Sequence, residues 1–576
     1  MASIQAKTVN GRKYWQIVQS QRINGKPRPV VLEHLGTADT LLKKLQERRR
    51  SISVKSYSHG LVAVLLKLSS ELNIVSAINN HVKSQRDYFA EHPIRNNLTV
   101  GATILLAAIG RISHPTSKRG WFSWAKRTSL QYLLRMNFSK VDSQHFWDMM
   151  DSLPAESIEN IEQEILQTVK DQYKINTNTI LYDTTNFYTY IATTNTRCKL
   201  PQRGKNKQKR VDLRQIGLAM VVSKEDMIPL FHETYRGNMN DSPVFKNVIG
   251  KIKNRMQSLG LNTTKHTAVF DRGCNSKKNL KQLTDLKMHY IGALSPAHHT
   301  QLIKDADENY TDVDVDGEAL QVYRTKQEIW GEERTALVFI SRQLKAGQLR
   351  GIYTGIEKRK EALDVLNTQL SNPKSKKRSR KELLENIGNI LNKQSNLFDY
   401  ELRKERNGPY CITYQLNNAV LDDMEDSMGF RIIMTSRHDW STLDIIKGYY
   451  GQSFVEQSFK DVKNPFHLAV TPGFHWTDQK IRIHFFTCVL GFLLATLIRK
   501  QAKEKASYKG TLDNLLDQLS EVRLATLIET NKKKGKPKVT YQLEVTDGCE
   551  DEIMSALNID RIHEKPMKIE GLSLYK

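Results

Sequence analysis

NTILYD, residues 178–183, opens with two polar residues and turns apolar before it reaches a carboxylate. This run of β-prone residues predicts a short strand that ends at Asp183, at the carboxyl end where open sheets usually place their chemistry. A second run of the same kind, residues 267–271, ends at Asp271 and leads through a turn into a helix near residues 276–286. The sequence therefore contains two strand-like units that each close on an acid.

The segment between these two units has the pattern of a hairpin followed by a helix. Residues 215–222 and 227–233 are apolar or β-branched and are joined by four polar residues. Asn240 is typical of a helix N-cap and Pro243 of a first helical turn, so we expect a helix that reaches about Met256. With a further strand at 290–294, the order is strand with acid, strand, strand, helix, strand with acid, helix, strand.

A third carboxylate lies in YYGQSFVEQSFKDVK, residues 449–463. Tyr449, Gln452, Glu456 and Lys463 fall at i, i+3, i+7 and i+14, a spacing that predicts one face of one helix. A surface helix with scattered charges is the alternative for this segment. Turn capping is the alternative for Asp residues that follow strands. The three acids taken in this order favour a shared site.

These motifs resemble the DDE transposases of bacterial insertion sequences, in the insertion-sequence-four superfamily, whose late signature is Tyr-x2-Arg-x3-Glu-x6-Lys. Three of the four signature positions match, and Gln452 stands where the family has Arg. Glu456 follows Asp271 by 185 residues, and the superfamily is known for a β-rich insertion at this place. The resemblance implies an α/β fold: a ribonuclease-H-like catalytic core with a β-rich insertion before the last catalytic helix, plus an N-terminal β-hairpin and helical region.

The resemblance also implies the chemistry. Asp183, Asp271 and Glu456 would be the catalytic residues and would hold two Mg²⁺ ions, for which Mn²⁺ can substitute, because hard cations prefer carboxylate oxygens. One ion would activate water or a 3′-hydroxyl while the other stabilises the leaving oxygen. Tyr449 and Lys463 would bind DNA phosphate. Gln452 would take the third phosphate position, although its amide lacks the charge and the fork of Arg.

The implied partners are the terminal inverted repeats of an insertion sequence and the target DNA, with a homodimer in the DNA complex. Trp330, in the expected insertion, is a candidate for stacking on a flipped base, although a core or surface aromatic is the more common use of Trp. Two alternatives to a transposase stay open. One is a structure-selective nuclease of the same fold, and the other is a non-catalytic DNA-binding derivative.

The composition favours a polyanionic partner. The 576 residues include 87 Lys and Arg against 62 Asp and Glu, which gives a formal charge of +25. No run reaches the length of a membrane span, and the longest apolar run, residues 485–498, is expected to be a buried helix, so no membrane partner is expected. The start of the chain lacks the apolar core of a signal peptide, which with the resemblance implies the bacterial cytoplasm, at the nucleoid. Five scattered cysteines indicate neither a disulfide framework nor a zinc site.

Six regions are expected along the chain. They are a basic N-terminal β-hairpin and helix (1–55), a helical region that is the candidate for binding DNA ends (56–172), the first part of the core (173–294), the insertion (295–445), the second part of the core (446–500) and a basic C-terminal region (501–576). A basic loop at 195–214 would neutralise DNA phosphates or would be a solubilising loop, and both interpretations stay open.

Overall fold

A computed structural model describes residues 2–23, 26–47, 51–82, 94–206, 210–404, 408–471, 473–530, 537–565 and 567. The chain divides into two units. One unit comprises Met1–Ser152 together with Ile498–Lys576, and the other comprises Leu153–Leu497. The six regions predicted from the sequence remain a prediction.

The chain begins with a three-stranded antiparallel sheet in the order β1-β2-β3. Its strands and the elements that follow are β1 (Ala2–Val9), β2 (Arg12–Ile23), β3 (Lys26–Gly36), α1 (Ala38–Glu47) and β4 (Ser51–Ser58). The predicted hairpin is the β2–β3 pair, in which Val18 lies opposite Val31. The sequence prediction paired only two strands here and did not assign β1, whose residues alternate between apolar and polar but are all exposed. Asn24 and Gly25, between β2 and β3, lie outside the described residues.

The next part of the same unit is mainly helical. Its elements are α2 (Gly60–Glu71), α3 (Ile74–Asn79), β5 (Ile94–Arg95), β6 (Leu98–Thr99), α4 (Val100–Ser113), α5 (Trp121–Ala125), α6 (Leu130–Leu133) and α7 (Ser143–Asp151). Helices α2 and α4 are buried almost all round, which explains their nearly continuous apolar sequences. They form the packed centre of this unit.

The second unit contains the predicted strand and helix order. After α8 (Ile158–Gln172), the elements are β7 (Thr179–Thr189), β8 (Arg214–Ser223), β9 (Pro229–Arg236), α9 (Asp241–Ser258), β10 (Thr267–Phe270), α10 (Lys277–Asp285) and β11 (His289–Leu294). The predicted order is confirmed, and Asn240 is at the N-cap position of α9. Strands β8 and β10 are buried along nearly their whole length, because the sheet is covered on both faces.

These strands are neighbours in the order β9-β8-β7-β10-β11. The β7–β8 and β8–β9 pairs are antiparallel, whereas β10 runs parallel to both β7 and β11. Phe245 of α9 contacts Tyr182 and Phe270, with ring centroids 4.9 and 4.7 Å away, so α9 packs on one face of this sheet. The arrangement is compatible with a ribonuclease-H-like core.

The prediction that the first strand ends at Asp183 is wrong. β7 continues to Thr189, and Asp183 lies opposite Met220 within the β7–β8 ladder. The polar residues after Asp183 do not break the strand, because β8 supplies hydrogen-bond partners along its whole length. It is the parallel neighbour β10 that ends at this level of the sheet.

The insertion extends the sheet and adds a helical part. Its elements are α11 (Thr300–Asp307), β12 (Thr311–Val315), β13 (Glu318–Ile329), β14 (Glu332–Ile340), α12 (Arg342–Ser371), α13 (Arg380–Leu391), β15 (Phe398–Lys404), β16 (Tyr410–Leu416), α14 (Asn418–Asp426) and β17 (Phe430–Thr435). The full sheet order is β12-β13-β14-β17-β11-β10-β7-β8-β9. Helices α12 and α13 share a separate apolar core with β15 and β16. The insertion is therefore mixed, rather than β-rich as expected.

Three helices complete the second unit and lead out of it: α15 (Thr442–Tyr450), α16 (Gln452–Asp461) and α17 (Asp478–Ala506). Within the part of the chain that the structure describes, α17 is the one helix long and apolar enough to cross a membrane. Its most apolar stretch is 94% buried inside the protein. The run 485–498 is therefore part of a buried helix, as predicted.

The C-terminal part returns to the first unit with α18 (Leu512–Glu521), β18 (Arg523–Thr530), β19 (Lys538–Leu543) and α19 (Gly548–Ala556). β18 pairs with β19 on one side and with β4 on the other, where Arg523 lies opposite Ser58. Strands from the two ends of the chain thus share one sheet. The cluster of lysines at 532–536 lies outside the described residues.

Candidate active site

Asp183 and Asp271 lie side by side because of the register between two parallel strands. Phe270, the last residue of β10, pairs with Tyr182 of β7. The residue that follows each of them is an acid, Asp271 after Phe270 and Asp183 after Tyr182. Neighbouring strands are about 5 Å apart. Asp183 Oδ1 accepts a hydrogen bond from the backbone N of Thr184 at 2.7 Å, and Asp271 Oδ1 accepts one from the backbone N of Arg272, also at 2.7 Å. The structure thus brings these two predicted site residues together.

Asp271 is also the N-cap of a short 3-10 turn, Arg272–Cys274. Turn capping, the alternative role for an acid that follows a strand, therefore applies to Asp271. Capping uses one of its oxygens in a hydrogen bond from a backbone N–H. It does not prevent the carboxylate from acting on a neighbouring group.

Glu456 is supplied by α16, which packs against β7. The negative charges of Asp271 and Glu456 both act on the carboxyl group of Asp183. All three predicted acids therefore share one neighbourhood. Among the described residues, however, no three His, Cys, Asp or Glu side chains converge closely enough to hold a metal ion. The acids are within electrostatic reach of one another without closing around a common point.

Asp183 has an unusual acidity. Burial raises its pKa to about 7, the charges of Asp271, Glu456 and Asp241 raise it as well, and the hydrogen bond from the Thr184 backbone lowers it. A buried carboxylate surrounded by other carboxylates is costly unless a cation compensates the charge. Three carboxylates in one neighbourhood are the ligand type that a divalent cation prefers, although they would have to move closer together to bind one ion jointly.

The four positions of the late motif do not lie on one helix, so that prediction is wrong. Tyr449 belongs to α15, Gln452 and Glu456 belong to α16, and Lys463 follows the end of α16. The two helices meet at Gly451, whose N–H donates to the carbonyls of both Lys447 and Gly448 at 3.2 Å. Glycine has a low helix propensity, and here it marks the junction between two helices.

Tyr449 is buried, with 7% of its surface exposed, and its partner is an arginine that the sequence analysis missed. Arg431 Nη1 donates to the Tyr449 hydroxyl at 3.4 Å, and its guanidinium carbon lies 5.9 Å from the ring centroid. The charges of Asp271 and Arg272 also act on Tyr449. Arg431 comes from β17, a strand of the insertion. Because Arg431 lies outside the motif in the sequence, the motif itself gave no indication of it.

Gln452 is also buried, and its Nε2 has no hydrogen-bond partner among the described residues. A buried donor of this kind is costly unless a ligand or water satisfies it. Phosphate binding by Gln452 remains a prediction. As the structure stands, its side chain is not an exposed phosphate contact.

Lys463 lies on the same side of β7 as Asp183. Its Nζ donates to Thr185 Oγ1 and lies 5.1 Å from the ring centroid of Phe187. Because side chains two residues apart in a strand share a face, Lys463 lies one step of about 7 Å along β7 from Asp183. A cation at this distance from the acids suits a phosphate next to the reacting one.

Replacing Lys463 tests this position. We expect Lys463→Gln to weaken the binding of duplex DNA of any sequence and to reduce the slope of log affinity against log salt by about 0.9, the contribution of one phosphate contact. The measurement is fluorescence anisotropy at four salt concentrations. Lys281→Gln is the matched control, because Lys281 pairs with Asp285 at 3.2 Å on α10. An unchanged slope would show that Lys463 does not contact phosphate.

Trp330 is not near the acids. It occupies the turn between β13 and β14 with φ 55°, followed by Gly331 with φ 89°. The register places this turn at the edge of the sheet where β10 and β11 begin, whereas Asp271 follows the end of β10. Four strands also separate β13 from β7. A role in stacking on a flipped base stays a prediction, and the arrangement of the sheet does not support it.

Asp241, in the first turn of α9, is a fourth carboxylate, and the sequence analysis did not single it out. Thr184 Oγ1 donates to Asp241 Oδ1 at 2.6 Å, and the charge of Asp241 acts on Asp183. Acids are common in the first turn of a helix because they complement its dipole, so the residue type alone gave no sign of the site.

The chain matches two family models. Residues 3–56 match "IS1634 family transposase, N-terminal domain", and residues 177–490 match "Transposase DDE domain". No curated protein is similar enough to count as a match. A similar solved structure is the "piggyBac transposase synaptic complex with hairpin DNA". It has 8% sequence identity and a TM-score of 0.39, and the similarity covers 81% of this chain and 80% of that one.

Proposed function

Since the chain belongs to the DDE transposases, as the match over residues 177–490 shows, and since residues 3–56 match the N-terminal domain of an insertion-sequence transposase family, we propose that it binds the terminal inverted repeats of its element and catalyses DNA cleavage and strand transfer. DDE transposase domains generally use divalent metal ions. We propose Mg²⁺ as the ion here, with two ions per site and Mn²⁺ as a substitute.

The observation that carries this proposal is the meeting of Asp183, Asp271 and Glu456. The three acids come from β7, from the end of β10 and from α16, and the charges of the other two act on Asp183. Asp183, on which the charges of the other two act, would contact both ions, while Asp271 and Glu456 would each hold one. When bound, the ions would lower the pKa of an attacking water or 3′-hydroxyl and stabilise the departing 3′-oxygen.

The remaining side chains would bind and orient the substrate. Lys463 would hold a phosphate beside the acids, and Arg431 would supply the guanidinium that the motif lacks at position 452. In cleavage, water attacks phosphorus and a 3′-oxygen leaves. In strand transfer, the freed 3′-hydroxyl attacks a target phosphodiester, so one phosphodiester bond forms as another breaks.

A homodimer in the DNA complex follows from the need to hold two element ends together. The net charge of +25 favours DNA as the partner of each protomer. We place the reaction in the bacterial cytoplasm, at the nucleoid.

The test uses a DNA fragment that carries the inverted repeats flanking the gene, incubated with the purified protein, Mg²⁺ and a supercoiled target plasmid. Sequencing gels and plasmid gels report cleavage and joining separately. Cleavage at the repeat boundary with joined products is the expected result. Cleavage at branched DNA without joining would favour a structure-selective nuclease, and binding without any cleavage would favour a non-catalytic derivative.

Arg431 offers a second test of the site. We expect Arg431→Gln to lower the cleavage rate by on the order of 100-fold, because a preorganised positive donor near the reacting phosphate is lost. Arg431→Lys should recover part of the rate, since it keeps the charge and loses the fork. The measurement is the single-turnover cleavage rate at saturating protein. A glutamine variant as fast as the unmodified protein would remove Arg431 from the site.

A further inference from the structure

Three large aromatic side chains of the second unit are exposed at one place. Tyr190, Phe474 and Trp476 are 60%, 50% and 57% exposed. The ring centroids of Tyr190 and Phe474 are 6.0 Å apart. His475, between the other two, is buried, so Phe474 and Trp476 extend outward on either side of an anchored residue. We call these three residues the aromatic patch. Exposing so much apolar surface is unfavourable unless a partner covers it.

The backbone beneath the aromatic patch is fixed by hydrogen bonds between two segments. Asn195 Nδ2 donates to the Trp476 carbonyl at 3.2 Å, and Cys198 Sγ contacts the His475 carbonyl at 3.8 Å. The backbone N–H groups of Lys199 and Leu200 donate to the Asp478 carboxylate at 2.8 to 3.0 Å. The rings are therefore held on a rigid support, which reduces the entropy that binding would cost.

The loop that follows Tyr190 and supports the aromatic patch is basic. Arg214 fixes the same loop by donating to the carbonyls of Thr193 and Asn195 at 2.5 and 3.2 Å. Further cations follow Tyr190 in the described part of this loop: Arg197, Lys199, Arg203 and Lys205. Aromatic rings among cations form the surface that binds bases and phosphates together. The cations of this loop, like the net charge of +25, favour a polyanion as the partner of this surface.

The position of the aromatic patch connects it to the acids. β7 continues past Asp183 to Thr189, and Tyr190 is the next residue. At about 3.3 Å per residue, Tyr190 lies roughly 23 Å from Asp183 along the strand. Lys463, which contacts Thr185 and Phe187, lies along the part of β7 between Asp183 and Tyr190. A DNA strand with stacked bases rises about 3.4 Å per nucleotide, so the path corresponds to about seven nucleotides.

We propose that the aromatic patch stacks on unpaired bases of a DNA strand that passes the catalytic acids. The proposal rests on the proposed function, because it assumes DNA at Asp183 and Lys463. In a duplex the base faces are covered by their neighbours, so exposed rings can stack only on bases that are unpaired or at a strand end. The surface therefore selects single-stranded DNA over a continuous duplex.

The test compares two probes that carry the same fluorescein label: a 20-nucleotide single strand and the fully paired 20-base-pair duplex. Fluorescence anisotropy gives the affinity of the full-length protein for each. The variants are Phe474→Leu, Trp476→Leu and the double variant, because Leu keeps apolar area and loses the flat ring. Tyr400→Leu is the matched control, since Tyr400 is 40% exposed on β15 of the insertion.

We expect the double variant to bind the single strand about 10-fold or more weakly and the duplex within twofold of the unmodified protein, because stacking is lost only for unpaired bases. The control should leave both affinities unchanged. Equal affinities of unmodified and double-variant protein for the single strand, or an equal loss on both probes, would overturn the proposal. So would an oligomeric state that changes in sedimentation while both DNA affinities stay the same, since the rings would then cover another protomer.

The same preparations also report on the proposed function. If the unmodified protein cuts the repeat-end duplex with Mg²⁺ while the leucine variants keep their affinity for the single strand, the aromatic patch has no such role and the transposase function stands. If the unmodified protein binds neither probe and cuts nothing, both proposals are wrong.

Discussion

Asp183→Asn abolishes metal-dependent DNA cleavage, with an expected loss of at least about 1,000-fold in rate. The substitution keeps the size of the side chain and its hydrogen bond from the Thr184 backbone, but removes the negative charge on which Asp271 and Glu456 act. A loss of this size corresponds to about 4 kcal/mol of transition-state stabilisation. It is expected because Asp183 is the acid on which both of the other carboxylates act.

Duplex binding by Asp183→Asn should stay equal to or stronger than that of the unmodified protein, because a negative charge beside phosphate has been removed. Asp285→Asn, on the exposed side of α10, is the matched control and should cleave normally. Single-turnover assays with Mg²⁺ and with Mn²⁺ give the rates, and anisotropy gives the affinities. Cleavage by Asp183→Asn within 10-fold of the control would remove Asp183 from the catalytic centre.

The second large effect is on the stability of the metal-free protein. Burial raises the pKa of Asp183 to about 7 in the folded state, against 3.8 for the unperturbed group. The folded state therefore binds this proton more tightly than the unfolded state does, so the contribution of Asp183 to stability falls as pH rises from about 4 to about 7. Above about pH 7 Asp183 is ionised in both states, and its burial then destabilises the folded protein by at most about 4 kcal/mol.

Asp183→Asn has no such group to ionise, so in EDTA we expect it to unfold at a higher temperature than the unmodified protein at pH 8. The gap should shrink at pH 5. Thermal unfolding followed by circular dichroism at both pH values measures it, with Asp285→Asn as the control. Added Mg²⁺ should raise the midpoint of the unmodified protein at pH 8 more than that of the variant, because ligand binding stabilises the state that binds it. A shift in the variant that is equal at both pH values would contradict the raised pKa.

The order of the elements around the acids could be predicted from the sequence because it is written in local patterns. Apolar β-branched runs, a hairpin turn and the N-cap at Asn240 each depend on residues close together in the chain. The adjacency of Asp183 and Asp271 follows once β7 and β10 are parallel neighbours. The extension of β7 to Thr189 could not be predicted, because its polar residues are held in the strand by β8.

The parts of the site that local patterns missed come from distant segments. Arg431 reaches Tyr449 from β17, and Asp241 reaches Thr184 from the start of α9. The break at Gly451 was hidden, because one glycine in a helical pattern does not decide between a continuous helix and two. For Trp330 the residue type was suggestive, but only the register of the enlarged sheet shows that its turn lies at the edge opposite the acids.

The sheet that pairs β4 with β18 has a consequence for the order of events during synthesis. Ser58 and Arg523, which lie opposite each other, are separated by 465 positions, so β4 leaves the ribosome long before its partner exists. Contacts between residues this far apart in the sequence form late. The first unit, which contains this sheet, therefore completes its folding after regions whose contacts are more local. The residues that carry the acids are therefore complete first. Translation of a messenger RNA that ends before β18 would yield a chain that contains Asp183, Asp271 and Glu456 but lacks the strand that pairs with β4 in the first unit.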